Sequence, residues 1–477
     1  MKYAQTAALA FAGSLLSACV LPPKDAPREH ALKDGDLGLT TATVPIAAPQ
    51  WWKAFHDPQL DRLVDQALAN NPSLAQAMAR VREAQAMADI AHAGLLPSVS
   101  YDFKDTRQRF SNNDIVPPPF GGGIYWEGQQ GLNLNWDLDF WGRQSSLLKQ
   151  ARSQTAAARL DVASARLALA GAVAQAYVDL YRNHALAEVA RRTEEQRLRI
   201  LDITRKRVAA GLDTNVELRE AEGAVPQAHV DLTQAQAAVA LAIHQLAALS
   251  GRGADAYAGI HKPQLDIDTV LPLPAALPAD LLGRRPDVLA ARDRVEAATA
   301  GSAAAKAAFY PDVNLAAFAG TSAIGFTNLF RASSGAYGAG PAIHLPLFEA
   351  GRLKAGYRGA NAEIDDAIAS YNQTVLQAVR QTSDQLSTID ALNYELGEQQ
   401  KSLDAAEAAY RLAEERYDAG LSDYLTVLNA ETQVLSARRQ RVDLVSGQVI
   451  ARISLLLALG GSFDPKAPAA AQTAASR

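Results

Sequence analysis

Gly131-Leu132-Asn133-Leu134-Asn135-Trp136-Asp137-Leu138-Asp139-Phe140 alternates without a break. Successive side chains of a strand point to opposite sides. Leu132, Leu134, Trp136, Leu138 and Phe140 therefore share one face, and Asn133, Asn135, Asp137 and Asp139 the other. Val99, Tyr101 and Phe103 alternate in the same way with Ser98, Ser100, Asp102 and Lys104. Farther along, Tyr337, Ala339, Ile343, Leu345 and Leu347 alternate with Gly338, Gly340, His344 and Pro346, while Val313 and Leu315 lead a weaker partner. Period two with one apolar and one polar face describes either a half-buried soluble sheet or a barrel wall facing lipid. Aromatics near the strand ends (Tyr101, Trp126, Trp136, Trp141, Tyr337) suit interfacial girdles. Four strands cannot close a barrel, and an open edge within hydrocarbon leaves backbone groups unsatisfied. Either the strands form small soluble sheets, or several chains pool them. Three chains give twelve strands, enough for an aqueous lumen, although closure alone does not choose three over two.

The strands sit inside a duplication. Asn71-Pro72-Ser73-Leu74 matches Arg285-Pro286-Asp287-Val288, and Leu96-Pro97-Ser98-Val99 matches Tyr310-Pro311-Asp312-Val313. Ala210-Gly211-Leu212 matches Ala419-Gly420-Leu421, and Leu246-Ala247-Ala248-Leu249 matches Leu456-Leu457-Ala458-Leu459. Units of about 200 residues are too long for a solenoid. The expected order in each half is helix, strand, loop, strand, very long helix, turn, helix. In the second half a stripe runs Leu353, Tyr357, Ala360, Ile364, Ile368, Tyr371, Val375, Val379, Thr382, Leu386, Ile389, Leu392 and Leu396, in steps of three and four. A helix from about Gln144 to Ala210 would be roughly 100 Å long. Pro226 predicts a kink in the first half only. The organisation expected is a signal peptide at 1–18 and an extended arm at 19–57. Repeat one follows at 58–250, a Pro-rich bridge at 251–283, repeat two at 284–460 and an Ala/Pro-rich disordered tail at 461–477.

Lys2, the apolar run from Ala7 to Leu16 and the small residues before Cys19 describe a secretory signal too short to span a bilayer. Leu16-Ser17-Ala18-Cys19 resembles the bacterial lipobox, in which cleavage leaves Cys19 as an acylated N-terminus; an ordinary signal peptide containing a cysteine is the alternative. Acyl chains would anchor the protein in a membrane. Val20 stands where the inner-membrane retention signal usually has Asp, which favours sorting to the outer membrane. No later stretch holds eighteen consecutive apolar residues, so any further membrane crossing falls to the strands. Net charge is −5 with 20% charged residues, so no basic field points to nucleic acid. One cysteine excludes an internal disulfide framework or a multi-thiolate metal site. The histidines lie apart, and no HExxH, GxSxG or Walker pattern occurs. Nothing suggests an enzyme or a cofactor, and Asp and Glu scattered on the helices read as facing solvent or a lumen.

Trp51-Trp52 through Phe55 and Asp57-Pro58, Trp136-Asp137-Leu138-Asp139-Phe140-Trp141-Gly142-Arg143, Leu281-Leu282-Gly283-Arg284-Arg285-Pro286-Asp287-Val288, and Leu345-Pro346-Leu347-Phe348 with Gly351-Arg352-Leu353 occur in order over nearly the whole mature chain. In these the chain resembles the TolC-like outer-membrane efflux proteins, specifically the NodT-type lipoproteins of resistance-nodulation-division pumps. The resemblance implies a mixed α and β membrane protein: a homotrimer with a twelve-stranded barrel in outer-membrane lipid, continued by a twelve-helix periplasmic α-barrel with an α/β equatorial belt. Its implied partners are a periplasmic adaptor and an inner-membrane transporter, and its implied function is passive export. A type I protein-secretion duct, and a structural periplasmic coiled-coil lipoprotein, are the alternatives. The resemblance places adaptor-docking tips at Gly211-Leu212-Asp213 and Gly420-Leu421-Ser422, where a plain helix C-cap is also compatible with Gly. Arg416 and Tyr417 match a pair near the periplasmic constriction, with Asp213 or Asn215 of the neighbouring tip as candidate partners. Asn429 stands where the family has a ring-forming Asp, which leaves Asp418 and Asp423 to supply charge at the gate.

Overall fold

The computed structural model describes residues 23–37, 48–113, 115–116, 118–265 and 281–464. Cys19 with its signal, residues 266–280 of the Pro-rich bridge and residues 465–477 of the C-terminal tail lie outside the described residues. Helices α1 (Pro58–Asn70) and α2 (Pro72–Ala93) lead into strands β1 (Ser98–Arg109) and β2 (Ile124–Asp137), then α3 (Arg143–Ala209) and α4 (Asn215–Leu249). After a short α5 (Leu281–Arg284) come α6 (Pro286–Ala307), β3 (Asp312–Ile324), β4 (Gly335–His344), α7 (Arg352–Asp418) and α8 (Tyr424–Ala458). Element lengths repeat: α2 and α6 each have 22 residues, α3 and α7 each 67, and α4 and α8 each 35. α4 is continuous through Pro226.

The chain forms two compact units. Among the described residues, one contains 23–31, 80–158 and 291–371; the other contains 32–37, 48–79, 159–265, 281–290 and 372–464. In the first unit the strands form one antiparallel sheet in the order β1-β2-β3-β4. Its register aligns every apolar row. Val99 pairs with Leu134, which pairs with Ala317 and then Ala339; Tyr101, Leu132, Ala319 and Tyr337 form the next row. Trp136 and Leu315 with Pro341, and Val313 with Ile343, extend the same face. The opposite face carries Ser100, Asn133 and Asp102, with Asn133 Nδ2 donating to Asp102 Oδ2 at 2.7 Å. Phe318 and Ile324 are large apolar exceptions there, the Phe318 ring lying against Gly338. Both faces are uncovered: Val99, Tyr101, Phe103, Leu132, Trp136, Tyr337 and Ile343 are exposed on one, and Ser100, Asp102, Lys104, Asn133 and Asn135 on the other.

The strands end earlier than alternation suggests. β2 begins at Ile124 and stops at Asp137, so Leu138 and Phe140 leave the apolar row. The cause is a helix start: the Asp139 carboxylate accepts from the amides of Gln144 (2.9 Å) and Ser145 (2.8 Å), turning the chain into α3. β4 stops at His344, so Leu345 and Leu347 also fall outside. Pro346 has no amide to continue a ladder.

In the second unit Trp51, Trp52 and Phe55 plug a core with Leu60, Val64, Val173, Tyr177, Leu246 and Ile453. Asp57 caps α1 by accepting from Gln59 N at 2.9 Å, and also accepts from the buried Tyr177 hydroxyl at 2.8 Å. Small residues let helices approach: a Cβ on Gly171 of α3 would collide with Leu457 of α8. Along α7 every member of the apolar stripe from Leu353 to Leu396 is buried or half-buried. Against the expectation that no later segment resembles a membrane helix, α4 holds one eighteen-residue stretch long and apolar enough, by composition alone, to match a membrane span. Its apolarity comes largely from Ala and Leu interspersed with His and Gln, and it contributes Ala242, Leu246 and Ala247 to the core.

Candidate functional site at the helical-hairpin turns

Both long helices close on a glycine. Gly211 (φ 73°) ends α3 and Gly420 (φ 76°) ends α7, the left-handed geometry that a Cβ disfavours. The Gly211 amide donates to Val208 O and Leu212 N to Arg207 O; Gly420 N and Leu421 N repeat the pattern on Tyr417 O and Arg416 O. The next helix starts at once. Thr214 and Glu217 form a reciprocal capping box on α4. Asp423 caps α8 by accepting from the Thr426 hydroxyl at 2.6 Å and the Thr426 amide at 2.9 Å, and those bonds hold its carboxyl below the usual range.

The two turns of one chain are joined by a buried cluster. Tyr417 is 1% exposed. Its hydroxyl donates to Asp213 Oδ2 at 2.7 Å and lies 3.0 Å from Thr204 Oγ1. Arg207 grips Asp213 with both arms of its guanidinium, Nε to Oδ2 at 2.8 Å and Nη2 to Oδ1 at 3.0 Å. It also donates Nη1 to Tyr417 O at 2.7 Å and stacks 4.4 Å over the Tyr417 ring. The bonds from Arg207 hold the Asp213 carboxyl below its ordinary range, while burial pushes the Tyr417 hydroxyl up to about 12.

The other sequence-selected residues stand apart from this cluster. Arg416, Asp418, Asp423 and Asn429 are exposed, and Ser422 is half-buried. Leu212 and Leu421 project at the turns, 65% and 70% exposed, beside Gly211 and Gly420. Asp213, a candidate partner of Arg416, is held instead by Arg207, which sequence reasoning missed. The repeat held the signal: Arg207 stands four residues before Gly211 as Arg416 stands four before Gly420. Asp213 corresponds to Ser422, so the second turn has no carboxylate at the equivalent position.

A second missed group lies on the same helices. Glu431 of α8 is 1% exposed, with Arg197 Nη2 of α3 at 3.0 Å. Desolvation pushes its carboxyl up to about 7 against the pull of Arg197, and the neighbouring Glu414 adds to the rise. Buried Tyr410 carries a hydroxyl with no hydrogen-bond partner among the described residues. Reading the helix carboxylates as facing solvent or a lumen therefore fails for Glu431. Among the described residues no group of three or more His, Cys, Asp or Glu could hold a metal ion.

The family model for outer membrane efflux protein matches the chain twice, over residues 63–252 and 277–461. The fusaric acid resistance protein FusA of Burkholderia cepacia is 40% identical over 320 residues, 66% of this chain and 60% of that protein. The probable efflux pump outer membrane protein TtgC of Pseudomonas putida is 31% identical over 462 residues, covering 95% of each chain. Among solved structures, the outer membrane protein VceC of Vibrio cholerae superposes with a TM-score of 0.82 at 35% identity, covering 88% of this chain and 100% of that one.

Proposed function

The chain belongs to the outer membrane efflux protein family and is the outer-membrane exit channel of an efflux pump; from that premise we propose how it assembles and is controlled. Three copies pool their sheets, β4 of one pairing with β1 of the next, into a twelve-stranded barrel. The paired long helices form a twelve-helix periplasmic α-barrel girdled by an α/β belt. The observation that carries this reading is the sheet itself, with apolar rows in register on one uncovered face and unpaired outer edges on β1 and β4. From the Val313 row to the Phe103 row the apolar face runs ~26 Å along the strands, and a membrane strand needs about 9–11 residues. Lipid satisfies that face, and neighbouring copies satisfy the edges.

The hairpin turns make the periplasmic mouth. Exposed Leu212 and Leu421 flank the two glycine turns and give an adaptor apolar purchase, while the Arg207–Asp213–Tyr417 cluster holds the hairpins together in the resting state. The channel performs no catalysis; an inner-membrane transporter supplies the energy. Acylated Cys19 adds a lipid anchor. In support, the arm is fixed on α7, with Asp365 accepting from the amides of Arg28 (2.7 Å) and Glu29 (3.0 Å) and Asn361 donating to Asp25 O at 2.9 Å. The stretch from Asp25 back to Cys19 reaches at most ~21 Å. Mass measurement of the purified channel in detergent tests the assembly: a trimer is expected, and a folded monomer with full strand content contradicts it.

A further inference from the structure

Beyond the apolar band the same face of the sheet becomes basic. The row after Phe103 is Asp105 with Gly128 and Ala323; then come Arg107 with Trp126 and Arg109 with Ile124. By register all of these share the face of Tyr101 and Leu132. The β3–β4 loop folds onto this face: Gly325 N donates to Trp126 O at 2.7 Å, and fully buried Leu329 sits on Gly128, where a Cβ would come within 2.9 Å of it. Pinned there, the loop exposes Phe326 and Phe330, stacked edge to face with centroids 5.6 Å apart, and carries exposed Arg331. Trp126 is exposed beside them.

Charge is sorted between the two faces at this level. Thr106, Gln108, Tyr125 and Glu127 take the opposite face, where Gln108 donates to Glu127. On the outer face Asp105 is half-buried at Gly128, where Leu329 also packs, and one of its oxygens has no donor. Arg107, Arg109 and Arg331 pair with no acid among the described residues; Arg109 Nε reaches only Gly122 O at 3.3 Å. All four helices that adjoin the strands leave from the other end of the sheet, so with the helices periplasmic this rim meets the outer leaflet.

We propose that this outer rim binds the phosphate-bearing headgroups of outer-leaflet lipids, an inference that rests on the membrane-spanning reading of the sheet. A guanidinium fork matches two phosphate oxygens, and aromatic rings at the same height lie at headgroup level. Exposed arginines beyond an apolar band are placed where the acyl chains end, and the pinned loop supplies the aromatic floor.

The test reconstitutes the full-length channel in zwitterionic vesicles containing bisphosphorylated lipid A, dephosphorylated lipid A, or neither with inorganic phosphate in the buffer. Lipid retained per channel is read by native mass spectrometry. Wild type should retain the bisphosphorylated lipid selectively, with affinity falling roughly fivefold for each arginine removed in Arg107→Gln and Arg109→Gln. Lys104→Gln, on the opposite face, should leave retention unchanged. Arg331→Gln, outside the sheet, should show the same loss and reports even if the strand variants fail to assemble. Equal retention of both lipids, retention unchanged in all arginine variants, or displacement of the lipid by inorganic phosphate overturns the inference. If wild type retains no preference yet conducts ions in these vesicles, the inference falls and the channel reading stands. If wild type does not insert at all, both fall.

Discussion

Asp213 accepts three short bonds in a site that shields it from water, and the partners that provide them are not equal in weight. Tyr417→Phe removes one hydroxyl while Arg207 still holds the carboxylate, so the cost is about 1 kcal/mol. Arg207→Ala strands a buried charge and should cost about 3–5 kcal/mol locally. As the depressed Asp213 carboxyl contributes stability only above its unfolded range, that contribution is lost as pH falls through the folded value. Both variants should raise conductance of the isolated channel, Arg207→Ala more, with the trimer retained; unchanged conductance in Arg207→Ala would place the gate elsewhere. Arg416→Ser should have the smaller effect, since Arg416 is exposed. Glu431 carries the opposite sign. Its carboxyl is raised to about 7, so its contribution to stability is full below the unfolded value and is lost as pH rises through neutrality. Melting of wild type between about pH 5 and about pH 8 should show this decline, and Glu431→Gln should flatten it. Parallel melting curves for the two proteins would contradict the buried-carboxylate reading.

Among the elements, the strands were the most legible in sequence, because a half-lipid wall needs a strict two-residue period. Their ends were not, because what stops them is capping chemistry that alternation ignores. Asp139 turns from strand residue to helix cap, and Pro346 breaks the ladder that Leu345 and Leu347 seemed to continue. At the turns, Gly211 and Gly420 were visible because αL geometry selects glycine, and Asp213 was a named partner for Tyr417. Arg207 was hidden because an arginine near a helix end reads as a solvated charge, and only its repeat relation to Arg416 distinguishes it. Glu431 was hidden for a similar reason: an amphipathic pattern does not reveal which carboxylate a second hairpin will cover. The face assignment has a direct consequence for β2. An arginine on the lipid face costs about 2–4 kcal/mol near the midplane, so Leu134→Arg should reduce assembled channel in the outer membrane, while Asn133→Arg should assemble normally and shift ion selectivity. Normal assembly of Leu134→Arg would mean that the face does not meet lipid.

For the whole molecule, one asymmetry organises the account: a single chain buries a helical core around Trp51, Trp52 and Tyr177 yet leaves both faces and both edges of its sheet unfinished. Completion needs lipid on one face, water on the other and two further copies at the edges. Single-channel recording from Asn133→Cys in a planar bilayer, during addition of a bulky, charged, membrane-impermeant thiol reagent, tests all three requirements in one trace. The account predicts that current through each channel falls in three discrete steps, one for each copy lining the lumen, and that Leu134→Cys gives no change. Block of Leu134→Cys with silence at Asn133→Cys, or a step number other than three at full modification, would contradict it.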